Sequence, residues 1–76
     1  DGSSVRLGST VTVLDEEFDE TMVYKIVGSQ EADPMNGAIS EDSPFGKALL
    51  GNAVGDEVQV EAPAGVLRYR ILEIQK

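Results

Sequence analysis

The sequence predicts an α+β domain in which an antiparallel β-sheet packs around one short helix. Three observations carry this: alternating runs rich in Val, Ile and Thr, turn residues set between those runs, and a single segment where helix start and stop signals fall close together. With 76 residues there is one core, and a chain of this size buries only about 60% of its unfolded surface. Its aliphatic strand residues must therefore carry most of the stability.

Residues 1–4 are polar and rich in Gly and Ser, and read as a linker ahead of a domain spanning 5–76. Val5 and Leu7, then Val11 to Leu14 beyond Gly8, give the first strand signal, with Gly8 marking a bend. Asp15 to Glu20, DEEFDE, is the charged tip of a hairpin whose second arm places Met22, Tyr24 and Ile26 on one face. Gly28 to Ala38 contains Gly28, Pro34, Asn36 and Gly37, so a long connection with little regular structure is expected.

Ile39 to Gly51, ISEDSPFGKALLG, is the helical segment. Ser43 is its N-cap, because a hydroxyl there accepts a hydrogen bond from a free first-turn amide, and Pro44 suits the first helical position. Phe45, Ala48 and Leu49 share a face, and Gly51 supplies the stop. Gly46 stands where a capping box would have Glu or Gln. So short a helix, with glycine inside it, is stable only when covered by the sheet.

Val54-Gly55-Asp56 makes the next turn, and Glu57 to Ala62 alternates with Val58, Val60 and Ala62 inward. Pro63-Ala64-Gly65 closes a second hairpin onto a last strand, Val66 to Ile74. Leu67, Tyr69 and Ile71 share one face there, but Leu72 and Ile74 break the alternation. A bulge near Ile71 is expected.

Composition narrows the chemistry. Fourteen acidic residues against six basic ones give a net charge of −8, which opposes binding to a phosphate backbone and favours a basic protein partner. Neither cysteine nor histidine is present, removing disulfides, thiolate metal sites and the commonest general base. No apolar run reaches the length of a membrane span and no signal peptide opens the chain, so a soluble, cytoplasmic protein is expected. Asp15, Glu17 and Asp19 imitate the start of a calcium loop, yet Glu20 stands where that loop needs Gly and Ile26 where it needs a bidentate Glu. The tip reads as a solvated turn, with no metal or cofactor.

Ser43 and Lys47 are spaced S-x-x-x-K, not the S-x-x-K of serine-lysine enzymes, and Ser43 is already occupied as a cap. No catalytic residue is assigned. Tyr24, Phe45 and Tyr69 are core in a chain with few other large side chains. Surface recognition remains, and Asp42-Ser43-Pro44 is its best candidate. It joins a carboxylate to a rigid ring at a helix start, which lowers the ordering cost of docking.

VRLGSTVTV, YKIVGSQEADPMNGAISEDSPFGKALLG and VGDEVQVEAPAGVLRYRILEI together resemble the carboxy-terminal domain of the bacterial transcript cleavage factors of the GreA/GreB family. The resemblance covers Val5 to Ile74 and is carried by EADPMNG, ISEDSP, ALLG, VGD and AP-x-G. It implies an FKBP-like fold and docking at the rim of the RNA polymerase secondary channel, against a coiled coil of the largest catalytic subunit. The family's acid-Ser-Pro contact falls on Asp42, Ser43 and Pro44, with Glu41 and Phe45 beside it.

In the family, two acids at the tip of an amino-terminal helical hairpin help hold magnesium in the polymerase active site. Such a coiled coil is not contained in these 76 residues, so a polymerase-binding domain that is not itself an enzyme is expected. Two other readings follow from the same fold. An FKBP-type peptidyl-prolyl isomerase is disfavoured by two Phe, two Tyr and no Trp, too few aromatics for such a pocket. A polymerase-binding antagonist would differ in the amino-terminal tip.

Overall fold

The computed structural model describes residues 4–75. Its strands are β1 (Thr10–Asp15), β2 (Glu20–Val27), β3 (Ala38–Ser40), β4 (Glu57–Ala62) and β5 (Gly65–Gln75), and its one α-helix, α1, spans Pro44–Leu49. They form a single sheet in the order β3-β2-β1-β5-β4. The expected linker falls largely on Asp1 to Ser3, outside the described residues, while Ser4 bridges to Ala53.

Both expected hairpins are present. β1 pairs antiparallel with β2 through a tip in which Asp15 Oδ1 accepts the amides of Glu17 at 3.0 Å and Phe18 at 3.3 Å. β4 pairs antiparallel with β5 across the turn after Ala62. The sheet is mixed, however, because β3 adds parallel to β2, with Ile26 opposite Ile39. Ile39 and Ser40, read from sequence as the lead into the helix, belong to this strand. Three residues are too few to show a period, and the pairing that defines β3 lies on a distant segment.

The connection before β3 also has more structure than its glycines and proline suggested, since Pro34–Asn36 forms a 3-10 turn. Val5 and Leu7 are not part of β1. Val5 is buried, exchanging backbone hydrogen bonds with Gly51 and Asn52 beyond the helix, whereas Leu7 and Gly8 form an exposed turn.

The bulge appears where the apolar pattern broke. Thr12 lies opposite Glu73 and Val13 opposite Ile71, which leaves Leu72 as the extra residue. Leu72 is pushed outward and Ile74 returns to the inner side.

Val11, Val13, Ile26, Ile39, Val58, Val60, Tyr69 and Ile71 face the core, and Leu49 from α1 is fully buried among them. The helix touches β3 and β4, which are the two outermost strands. Contact with both edges requires the sheet to curl toward the helix, and the bulge increases the local twist that allows this.

Gly46 is the tightest point of this packing. A Cβ built there would run into the carbonyl oxygen of Ser40 and come within 3.1 Å of Ser43 Oγ. The glycine that looked like a weakness in the helix is what lets α1 seat on β3. Gly46→Ala should therefore destabilise the domain by about 1–3 kcal/mol in denaturant titrations, because overpacking outweighs the ~0.5–1 kcal/mol that alanine gains in a helix interior. An unchanged midpoint would show that the helix can shift away from β3.

Candidate docking site

The chain leaves β3 at Ser40 and enters α1 at Pro44, and the three residues between them are fixed mainly through Ser40. Its carbonyl accepts the Ser43 amide at 3.1 Å and the Ser43 hydroxyl at 2.7 Å, while its own Oγ accepts the Asp42 amide at 3.0 Å. Ser43 Oγ in turn accepts the Gly46 amide at 3.0 Å, the capping bond expected from sequence. Within that turn, the Glu41 amide donates instead to the Val27 carbonyl at 2.9 Å and ties the segment to the end of β2.

This frame divides the five residues singled out from sequence. Asp42 and Pro44 are exposed, one on each side of the half-buried cap Ser43. Glu41 is half-buried, and Phe45 anchors the turn from below. The Phe45 ring meets Tyr24 edge-on at 4.9 Å between centroids and Tyr69 at 5.0 Å with a 38° tilt. Tyr24 Oη also donates to Met22 Sδ at 3.1 Å. Burial, followed by the charge of Asp15 and the neighbouring Tyr24, pushes the Tyr69 hydroxyl above its ordinary pKa. All three rings are spent on packing one another and the core, as expected, instead of lining an open slot.

Ser40 was not singled out from sequence. Nothing local separates it from other serines, since its role appears only when β3 pairs with β2 and returns its carbonyl to the helix start.

Elsewhere, the hairpin-tip acids Glu16, Glu17, Asp19 and Glu20 are exposed and Asp15 is half-buried, and among the described residues no group of three or more potential ligands is placed to hold a metal ion. A shallow cavity of about 370 Å³ is lined by Glu16, Glu17, Val66, Leu67 and Arg68, and another of about 180 Å³ by Arg6 to Ser9. Near the first, Glu16 lies 3.8 Å from Arg70 Nε, with Glu57 as its acidic neighbour. The Glu57 hydrogen bond, then desolvation and the charge of Glu57, raise the Glu16 carboxyl above its ordinary 4.5, against the pull of Arg70 and Arg68.

The comparisons with known proteins agree with this architecture. The family described as "Transcription elongation factor, GreA/GreB, C-term" matches residues 1–76. The chain is 60% identical over 72 residues to transcription elongation factor GreA of Thermoanaerobacter pseudethanolicus, covering 95% of this chain and 46% of that protein. With GreA of Acetivibrio thermocellus the identity is 57%, covering 95% of this chain and 45% of that protein. Among solved structures, the GreA/GreB factor of Nitrosomonas europaea superposes with a TM-score of 0.83 at 36% identity, over 100% of this chain and 63% of that one. GreA factor homolog 1 of Thermus thermophilus superposes at 0.86 with 35% identity, over 100% of this chain and 51% of that one. The chain thus spans about half the length of the curated relatives it matches.

A pH dependence follows from Glu16. The folded chain holds this proton more tightly than the unfolded chain, so the contribution of Glu16 to stability is greatest with the proton bound and falls as pH rises from about 4.5 through the raised value. Glu16→Gln, which keeps a donor but no charge, should raise the melting temperature at neutral pH, with the advantage shrinking below 4.5. Parallel melting curves for the two proteins at every pH would contradict this.

Proposed function

The chain belongs to the GreA/GreB transcription elongation factor family, as its carboxy-terminal domain, and on that premise we propose that it is the part of such a factor that docks on RNA polymerase. In this reading Asp42 and Pro44 contact a coiled coil of the largest catalytic subunit at the rim of the secondary channel, in the bacterial cytoplasm. Residues 5–76 form the docking domain. Help with transcript cleavage belongs to an amino-terminal helical hairpin, and the chemistry itself to the polymerase.

The single observation that carries the reading is the exposure of Asp42 and Pro44 on a turn whose backbone is already bonded to Ser40. A partner that meets a pre-formed turn does not have to order it, which removes a cost of about 0.5–1.5 kcal/mol for each side chain immobilised at an interface. Pro44 presents a rigid apolar ring and Asp42 a carboxylate, a pairing suited to a partner that carries a cation beside an apolar groove. Glu41 and Phe45 act at the margin: Glu41 adds charge beside Asp42, and Phe45 sets the height of the turn above the sheet.

Asp42→Ala combined with Pro44→Ala should weaken binding to a polymerase coiled-coil fragment by about tenfold or more, a loss of roughly 1.4 kcal/mol, with cooperative melting retained. Unchanged affinity would place the contact elsewhere, and loss of cooperative folding would reduce the element to a helix cap.

A second assay separates docking from cleavage. On stalled elongation complexes, the 76-residue chain should compete with an intact factor of this family without shortening the transcript by itself. Shortening by the chain alone would overturn the division of labour.

A further inference from the structure

The two edges of the sheet differ. β3 is three residues long and seats α1 at Ser40, whereas β4 runs for six residues in unbroken register with β5, its one strand neighbour. Hydrogen bonds on both sides of β5 fix which backbone groups of β4 face outward. The Ile71 amide donates to the Asp56 carbonyl at 2.9 Å, and on the β1 side the Arg68 carbonyl accepts the Glu16 amide at 3.2 Å. Backbone groups alternate between the two sides of a strand in an antiparallel ladder, so Val58 and Val60 turn theirs toward β5, while Glu57, Gln59 and Glu61 present N–H and C=O at the open edge. Side chains alternate as well: Val58 and Val60 are buried in the core that Leu49 of α1 shares, and Glu57, Gln59 and Glu61 are exposed on the outer face.

We propose that this edge is a second docking surface, at which an extended, basic segment of a partner protein adds as a further strand, antiparallel to β4. Main-chain hydrogen bonds to Glu57, Gln59 and Glu61 supply the attraction, and charge supplies the selectivity. Glu57 and Glu61 are the charged residues of β4, and no base stands among them. At ~3.3 Å per residue they lie about 13 Å apart, so cations four positions apart on the added strand fall opposite both.

The surroundings of Glu57 strengthen the preference. Arg70, its cross-strand partner on β5, lies 3.8 Å from Glu16, and the neighbouring carboxyls of Glu16 and Glu57 oppose each other's ionisation. A cation arriving from the open side relieves that repulsion. Arg68, opposite Gln59, is the other base on this part of the outer face and lies one strand farther in.

A second copy of this chain fits the edge poorly. Two β4 strands paired antiparallel about Gln59 would set Glu57 opposite Glu61 in both halves, and each chain brings a net charge of −8. The same carboxylates that oppose self-pairing admit a basic strand. None of the residues of the turn at Asp42 and Pro44 is used, so this surface and that one stand or fall independently.

The test titrates the isotope-labelled chain with a peptide alternating lysine with threonine over about seven residues, reading amide shifts and hydrogen exchange. Expected is exchange slowed about tenfold at the amides of Glu57, Gln59 and Glu61 when the peptide is saturating. N-methylation of the peptide at its lysines, whose amides face β4, should weaken binding by about tenfold or more, whereas N-methylation at its threonines should not. Glu57→Gln combined with Glu61→Gln should lower affinity about tenfold with cooperative melting retained. Protection that falls elsewhere or nowhere, equal binding of the two methylated peptides, or an affinity unmoved by the double substitution would each overturn the proposal.

Discussion

The approach of the Gly46 backbone to the Ser40 carbonyl is the contact on which the domain depends. Six residues of helix cannot persist unaided, and this one lasts because its first turn rests on a strand edge while Leu49 reaches the core. The same carbonyl accepts two hydrogen bonds from Ser43, so one backbone oxygen orients both the helix and the turn before it. A side chain at position 46 would separate the two. What looks like a loss of helix propensity is a gain in tertiary seating, and here the seating dominates.

Sheet topology follows from the same need. With α1 lying against β3 and β4, the outermost strands have to bend toward each other around a core of mostly Val and Ile. The bulge at Leu72 supplies part of that bend, while the parallel return of β3 brings Ser40 to the end of the sheet where the helix starts. An antiparallel β3 would have run the other way and delivered the chain to the opposite end. The mixed sheet is thus the arrangement that places the exposed turn next to the end of β2.

Much of this was legible in residue order. β1, β2, β4 and β5 follow period-two patterns long enough to count, the cap at Ser43 has a local chemical signature, and the broken alternation after Ile71 located the bulge to within one residue. β3 was not legible, because three residues define no period and a strand exists only through its partner. For the same reason the value of Ser40 and Gly46 stayed hidden: both act through a contact between segments that propensity does not register. At the candidate site the exposed pair, Asp42 and Pro44, could be read from type and position. The packing of Phe45 between two tyrosines needed the fold.

Charge acts on two length scales in this domain. β2 runs from Glu20, beside the acidic hairpin tip, to Val27, beside the exposed turn, and at ~3.3 Å per residue these ends are about 23 Å apart. At physiological ionic strength the screening length is about 8 Å, so the tip acids are nearly invisible to a partner docked at Asp42. The net charge of −8 therefore does little to hold such a partner. It opposes phosphate backbones, while under the proposed docking mode selectivity would rest with the local carboxylates of Glu41 and Asp42. A docking contact of the kind proposed would tolerate variation over most of the acidic surface but little change in the turn between β3 and α1, because only there would charge and shape act within one screening length.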